Sequence, residues 1–253
     1  MKIKKRLDNL LRDANPSWSR AYIQEVVRQG LVKVNGIVQK KASYQVAEDS
    51  IVDADIKDPK FVSRAGFKLD QALNEFKSEF DLTITGSVAI DSGLSTGGFA
   101  DCLLQHGAKH VYGVEVGTAQ VHKKIAEDSR VTVMEQTDLR DVKLKELVDV
   151  VTLDLSFISL LKVMEEVAQL MKEGGALITL IKPQFEVGKD HVGSNGVVFN
   201  DDIRNAAVQE VIAGIQSFGF EFKKLMDTPV TGKGGNKEHL AYFVRSKDRR
   251  SFS

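Results

Sequence analysis

From Phe61 onward the sequence alternates short apolar runs with amphipathic stretches, and this alternation limits the possible folds more than any other feature. The apolar runs are Ser87–Asp91, His110–Glu115, Val131–Met134, Val148–Asp154 and Gly175–Lys182. A helix carrying the stripe Leu69, Ala72, Leu73, Phe76 and Phe80 precedes them, and helices are expected near 98–106, 117–127, 159–172 and 201–218. Two final strands, Phe220–Leu225 and Leu240–Arg245, are joined by a Pro/Gly loop (228–237) short enough for an antiparallel pair. Strands alternating with helices build a mostly parallel sheet covered on both faces. The expected class is therefore α/β, a Rossmann-like sheet of seven strands whose last strand runs antiparallel.

Residues 1–58 read as a separate α+β module, with 59–253 as the second domain. Ile3, Leu7, Leu10 and Leu11 have helical spacing, and Asn15-Pro16-Ser17 ends that helix. A second helix is expected from an N-cap at Ser19 to Gly30, followed by two strands hinged at Asn35-Gly36. The segment Tyr44–Val52 supplies further short strands, and Lys57-Asp-Pro-Lys60 marks the hinge.

The formal net charge of zero hides a polarity. Residues 1–47 carry +7 and the remaining 206 carry −7. Extending the cut to residue 58 lowers the first figure to +3, so the basic character belongs to the beginning of the module. A basic module on an acidic body suggests a polyanionic partner, although a solvated charged face would look the same. The module resembles the S4-type RNA-binding domain in Arg6-Leu-Asp8, Ser19-Arg20 and Gln29-Gly-Leu-Val-Lys-Val-Asn-Gly36. That resemblance implies RNA binding, with phosphate contacts from Lys4, Lys5, Arg6, Arg12, Arg20, Arg28, Lys33, Lys40 and Lys41. Such contacts position a protein rather than read sequence.

In an open parallel sheet, ligands lie beyond the carboxyl ends of the strands. The first strand of the sheet delivers Asp91-Ser-Gly-Leu-Ser-Thr-Gly-Gly98, the second ends in Glu115, and Asp138 follows the third. Several readings of the glycine-rich loop compete. Its spacing departs from the dinucleotide pattern G-x-G-x-x-G. Gly93-Leu-Ser-Thr-Gly97 matches the hydrolase G-x-S-x-G elbow, with Asp154 and then His191 or His239 following in the required order. A packing turn is a third reading. S-adenosylmethionine is the fourth, with acids at successive strand ends cradling a cation and an adenosine.

A second constellation comprises Lys68, Asp154, Lys182 and Glu238, within Ser63-Arg-Ala-Gly-Phe-Lys-Leu69, Asp154-Leu-Ser-Phe-Ile-Ser159, Ile181-Lys-Pro-Gln-Phe185 and Gly235-Asn-Lys-Glu-His-Leu240. With the loop Asp91–Leu104, these segments make the chain resemble the TlyA (hemolysin-A-type) ribosomal RNA 2′-O-methyltransferases, an S4-type domain joined to an FtsJ-class methyltransferase domain. Gly66 and Ala100 depart mildly from the family pattern. The resemblance implies a class I methyltransferase sheet and a catalytic tetrad Lys68, Asp154, Lys182, Glu238. It also implies S-adenosyl-L-methionine contacts at Asp91, Gly93, Ser95, Thr96, Gly97, Gly98, Glu115 and Asp138, and a cytidine target in 16S or 23S ribosomal RNA.

Such a tetrad suits a weakly acidic ribose hydroxyl, which must be aimed and activated. Base methylation favours other equipment, such as an aromatic-Pro clamp, which Leu155-Ser-Phe lacks; Cys102 falls in a helix away from the strand ends. Two further functions stand beside the enzyme. A membrane-active hemolysin needs an apolar span or a long basic amphipathic helix, and no apolar run approaches the roughly 18 residues of a span. A non-catalytic RNA-binding ribosome-assembly factor would need no tetrad. The basic start lacks an apolar signal core and Cys102 is the single cysteine, so a cytoplasmic protein is expected. No His/Cys cluster shows ligand spacing and no metal is expected. The sequence is compatible with a monomer, and Phe185–Asn200 reads either as a mobile substrate loop or as a long connection.

Overall fold

The structure, a computed structural model, describes residues 4–16, 18, 20–28, 30–54, 60–228 and 235–247, with only the backbone at 21, 25 and 189. Two compact units are present, Met1–Arg64 and Ala65–Ser253.

The first unit contains β1 (Lys4–Arg6), α1 (Leu7–Ala14), α2 (Arg20–Arg28), β2 (Val32–Val34), β3 (Ile37–Gln39), β4 (Gln45–Ala47) and β5 (Val52–Ala54). Strand β2 pairs antiparallel with both β3 and β5, and β1 pairs antiparallel with β4. The turn between β2 and β3 holds Asn35 and Gly36 at positive φ, the conformation a two-residue hairpin turn requires. Leu7, Leu11, Trp18, Ile23, Val26, Val27, Val32, Val34 and Val46 form its core. The first helix is shorter than its apolar spacing suggested. Lys4–Arg6 forms a strand because it pairs with Gln45–Ala47, and the amide of Leu7 donates to the Tyr44 carbonyl at 2.8 Å where the helix starts. Ile3, the expected cap Ser19 and most of the expected hinge lie outside the described residues.

The second unit opens on α3 (Arg64–Phe80), whose Leu69, Ala72, Leu73 and Phe76 are buried. There follow β6 (Val88–Ser92), α4 (Gly98–Gln105), β7 (His110–Val114), α5 (Lys123–Ala126) and β8 (Val131–Met134). The chain continues through β9 (Val148–Leu153), α6 (Met164–Leu170), β10 (Met171–Ile181), α7 (Pro183–Glu186), α8 (Asp201–Ser217), β11 (Phe220–Asp227) and β12 (His239–Arg245). The sheet order is β11-β12-β10-β9-β6-β7-β8, and β12 runs antiparallel to both its neighbours while the remaining pairs are parallel. The chain leaves β6 toward β7 and β8, then returns to build β9 on the opposite side. That reversal places a crevice beyond the carboxyl ends of β6 and β9.

Two helices depart from expectation. Only Lys123–Ala126 of the stretch 117–127 is α-helical. Glu115 captures the amide of Gly117 at 2.8 Å, and Ala119 sits at φ +54, so Gly117–His122 forms a loop beside the crevice instead. Within 159–172, Leu160–Val163 is a 3-10 turn before α6, and Met171 already belongs to β10, where it pairs with Val148.

Candidate active site

The site begins with a buried acid that shapes its loop. Asp91, near the end of β6, is 1% exposed. Its carboxylate accepts the Ala100 amide at 2.8 Å and meets the Thr152 hydroxyl at 2.9 Å. Burial pushes its pKa up to about 7, against the hydrogen bond from Thr152, with Asp154 and Glu115 adding repulsion. Asp91 therefore ties the start of α4 to β9 beneath the loop and does not reach the cavity wall.

Beyond it the chain turns at Gly93, φ +84, where an added Cβ would lie 2.5 Å from the Asp154 carbonyl oxygen. The amides of Gly93 and Leu94 both donate to the Val114 carbonyl, at 2.9 and 3.1 Å. One oxygen of Glu115 accepts the Ser95 amide and the other the Gly117 amide, both at 2.8 Å, so this carboxylate clamps two loops together. A carboxylate has further lone pairs, which remain available to a ligand. Asp138 accepts the Arg140 amide at 3.0 Å and Arg140 Nε and Nη2 at 2.9 and 2.7 Å. Arg140 holds its pKa down to about 2.

Gly93, Ser95, Glu115 and Asp138 line a cavity of about 740 Å3, within the usual range for small-molecule sites. Asp91, Thr96, Gly97 and Gly98 lie off its wall. Val116, Leu155, Phe157, Ile158 and Phe185 supply apolar surface.

Three of the four charged residues, Asp154, Lys182 and Glu238, line this cavity, and with Lys68 they form two ion pairs. Lys68 Nζ, from the second turn of α3, lies 2.6 Å from Glu238 Oε2, and both residues are buried. Lys182 Nζ, just after β10, lies 2.7 Å from Asp154 Oδ1 and donates to Ser156 Oγ at 2.9 Å and the Asp154 carbonyl at 3.4 Å. Burial pushes the Asp154 carboxyl above its ordinary value; Lys182 opposes this most strongly, then Lys68, while Glu238 adds to it. The other three charges thus all act on the Asp154 carboxyl, and Asp154, Lys182 and Glu238 face the cavity.

Sequence reasoning missed several neighbours. Ser156 and Gln184 stand two residues after Asp154 and Lys182, and Gln184 Nε2 reaches Glu238 Oε1 at 3.5 Å. Their spacing from charged residues was the available signal. Phe157 gave none: it is 91% exposed, sits at φ +66 and packs its ring 5.0 Å from that of Phe185. His191 and His239 do not line the cavity, so the hydrolase reading lacks its base.

Among families of known proteins, the FtsJ-like methyltransferases match residues 61–245 and the S4 domain matches residues 5–52. The chain belongs to the FtsJ-like methyltransferase family. It is 33% identical over 243 residues to "Hemolysin A" of Brachyspira hyodysenteriae, covering 94% of this chain and 99% of that protein. It is also 33% identical over 235 residues to the 16S/23S rRNA (cytidine-2'-O)-methyltransferase TlyA of Mycobacterium tuberculosis, covering 91% of this chain and 86% of that one. Among solved structures, this FtsJ-like chain superposes on a candidate hemolysin from Streptococcus thermophilus with a TM-score of 0.74 and 34% identity, over 98% of this chain and 90% of the other. No helix among the described residues is long and apolar enough to cross a membrane.

Proposed function

We propose that this FtsJ-like methyltransferase transfers a methyl group from S-adenosyl-L-methionine to a ribose 2′-hydroxyl of ribosomal RNA, with a cytidine as target. The observation that carries this reading is that the pairs Lys68–Glu238 and Lys182–Asp154 converge on the Asp154 carboxyl, in the wall of the cavity that Glu115 and Gly93 also line.

The residues fit the proposed cofactor. Glu115 offers a carboxylate to the two hydroxyls of an adenosine ribose, and Val116 and Leu139 offer apolar surface to a base. Asp154, paired with Lys182 at 2.7 Å, brings a carboxylate to the cavity wall. S-adenosylmethionine supplies an electrophilic methyl group on a sulfonium. Gly93, Ser95, Glu115 and Asp138 are assigned to its binding, whereas Asp91, Thr96, Gly97 and Gly98 act by setting the course of the loop.

Among the described residues Lys182 is the cation that lines the cavity, and it is assigned to the 2′-hydroxyl, where its ammonium would stabilise developing negative charge on oxygen. Asp154 and Ser156 fix the Lys182 side chain in one orientation. Lys68 and Glu238 neutralise each other and hold the α3 side of the site to the start of β12. Much of the rate would come from aiming a hydroxyl in line with the methyl group. Phe157, exposed at the cavity rim, offers a ring face to the base of the target nucleotide.

Residues 1–58 are assigned to RNA binding and 59–253 to catalysis. Lys4, Arg12, Arg20, Lys33, Lys40 and Lys41 are exposed and available to phosphates. Arg6 is already paired with Asp8 at 2.7 Å and Lys5 with Asp13, so these two would exchange an internal partner for a phosphate. A cytoplasmic location follows from a ribosomal substrate.

The test is incubation of the purified chain with radiolabelled S-adenosylmethionine and ribosomal subunits or naked ribosomal RNA, followed by mapping of the modified nucleotide. Label in a 2′-O-methylated cytidine supports the reading. Label on a base, or none with any RNA or particle, overturns it.

A further inference from the structure

A second group of reactive side chains lies outside the cavity. Asp70 on α3, Cys102 on α4 and His106 at the end of α4 bring a carboxylate oxygen, a sulfur and an imidazole nitrogen within 4.8 Å of one another. None of the three lines the cavity described above. Cys102 and His106 stand four residues apart, which places both on one face of α4. His106 Nε2 lies 2.8 Å from Asp70 Oδ1, and the His106 amide donates to the Cys102 carbonyl at 2.9 Å, which fixes the turn carrying the ring.

We infer that Asp70, Cys102 and His106 form a binding site for a zinc-type divalent cation that ties α3 to α4. Sulfur and imidazole nitrogen select a borderline-soft ion such as zinc over magnesium or calcium, which prefer oxygen alone. Ligands of a tetrahedral zinc ion stand roughly 3.4–3.8 Å apart, given metal–ligand distances of about 2.0–2.3 Å. The three ligand atoms already lie within 4.8 Å of one another, and His106 Nε2 and Asp70 Oδ1, now 2.8 Å apart, would separate to that spacing. The thiol proton of Cys102 passes to solvent as the thiolate binds, and His106 coordinates through Nε2 with its proton on Nδ1. The Asp70 and His106 side chains are 16% and 23% exposed, so a water can complete the fourth position from their side, while Cys102 is fully buried.

The consequence reaches the active site through the two helices. Asp70 is two residues beyond Lys68, and α4 starts at Gly98, immediately after the glycine-rich loop. A bound ion would hold both supports in place without touching substrate.

The experiment uses the full chain stripped of metal by a chelator and titrated separately with zinc, magnesium and cobalt. One zinc per chain, a raised unfolding temperature and a thiolate-to-cobalt charge-transfer band are expected, with no response to magnesium. Cys102→Ser should abolish the band. His106→Gln, at a partly exposed position, should weaken zinc by at least the roughly tenfold that loss of even an outer-shell partner costs. Zinc affinity unchanged in His106→Gln, or no charge-transfer band in the folded parent chain, would overturn the site and leave Asp70–His106 as an ordinary hydrogen bond.

Discussion

Gly93 and Asp154 are in backbone contact: a methyl group in place of the Gly93 hydrogen would fall 2.5 Å from the Asp154 carbonyl oxygen. The contact joins the loop after β6 to the loop after β9, the two that border the crevice. Because the obstructing atom is backbone, it cannot rotate aside. Gly93→Ala adds the strain of a side chain at φ +84 and should cost about 2–3 kcal/mol of stability. Denaturant unfolding measures this, and cofactor titration should show weakened binding in the fraction that remains folded.

Lys182→Ala should lower methyl transfer by about 10²–10⁴-fold while cofactor affinity stays near that of the parent chain. Single-turnover transfer and equilibrium binding separate the two effects. An equal loss in both would place Lys182 on the cofactor instead of the hydroxyl.

Glu238→Gln leaves Lys68 without its carboxylate in a buried setting. Breaking one partner of a buried pair costs about 3–5 kcal/mol. Lys68→Met combined with Glu238→Leu should recover much of that stability, yet remain inactive. Thermal unfolding and transfer assays on the single and double variants form the test.

Asp91 makes stability fall with rising pH. Its carboxyl ionises at about 7 in the folded chain against an ordinary value of 3.8. Between these values the folded chain keeps a proton that the unfolded chain has released, so stability declines from about pH 4 to about pH 7 and then levels. Asp91→Asn keeps a carbonyl for the Ala100 amide and an amide for Thr152 and removes this decline. Urea unfolding of the two chains across that range is the measurement, and a parent curve running parallel to that of Asp91→Asn would contradict the assignment.

Replacing Lys33, Lys40 and Lys41 together by Ala should weaken RNA binding and flatten its dependence on salt. Every phosphate that one of these lysines no longer neutralises should reduce the slope of log affinity against log salt by roughly 0.7–0.9. An unchanged slope would remove these lysines from the interface.

The sheet was legible because its strands are apolar runs bounded by acids and glycines, and β8 occupies Val131–Met134 as read. Pairing that depends on distant partners was not legible. Lys4–Arg6 looks helical until Gln45–Ala47 is beside it, and Gly117–His122 does so until Glu115 takes its first amide. Asp91 and Glu115 read alike as acids at strand ends; only packing shows that one supports the loop from below and the other faces the cavity. The tetrad came from a resemblance, since no spacing rule connects Lys68 with a carboxylate 170 residues away. The helical spacing of Cys102 and His106 was visible, whereas Asp70 joins them only because the fold brings its carboxylate to the His106 ring.

Strand β12 enters the sheet against the direction of its neighbours, so its beginning, not its end, sits at the mouth of the crevice. Glu238, which directly precedes that beginning, stands 170 residues after the Lys68 it pairs with. Only when β12 lies between β10 and β11 does Lys68 gain the carboxylate of Glu238, so this ion pair doubles as a latch on the final strand of the sheet.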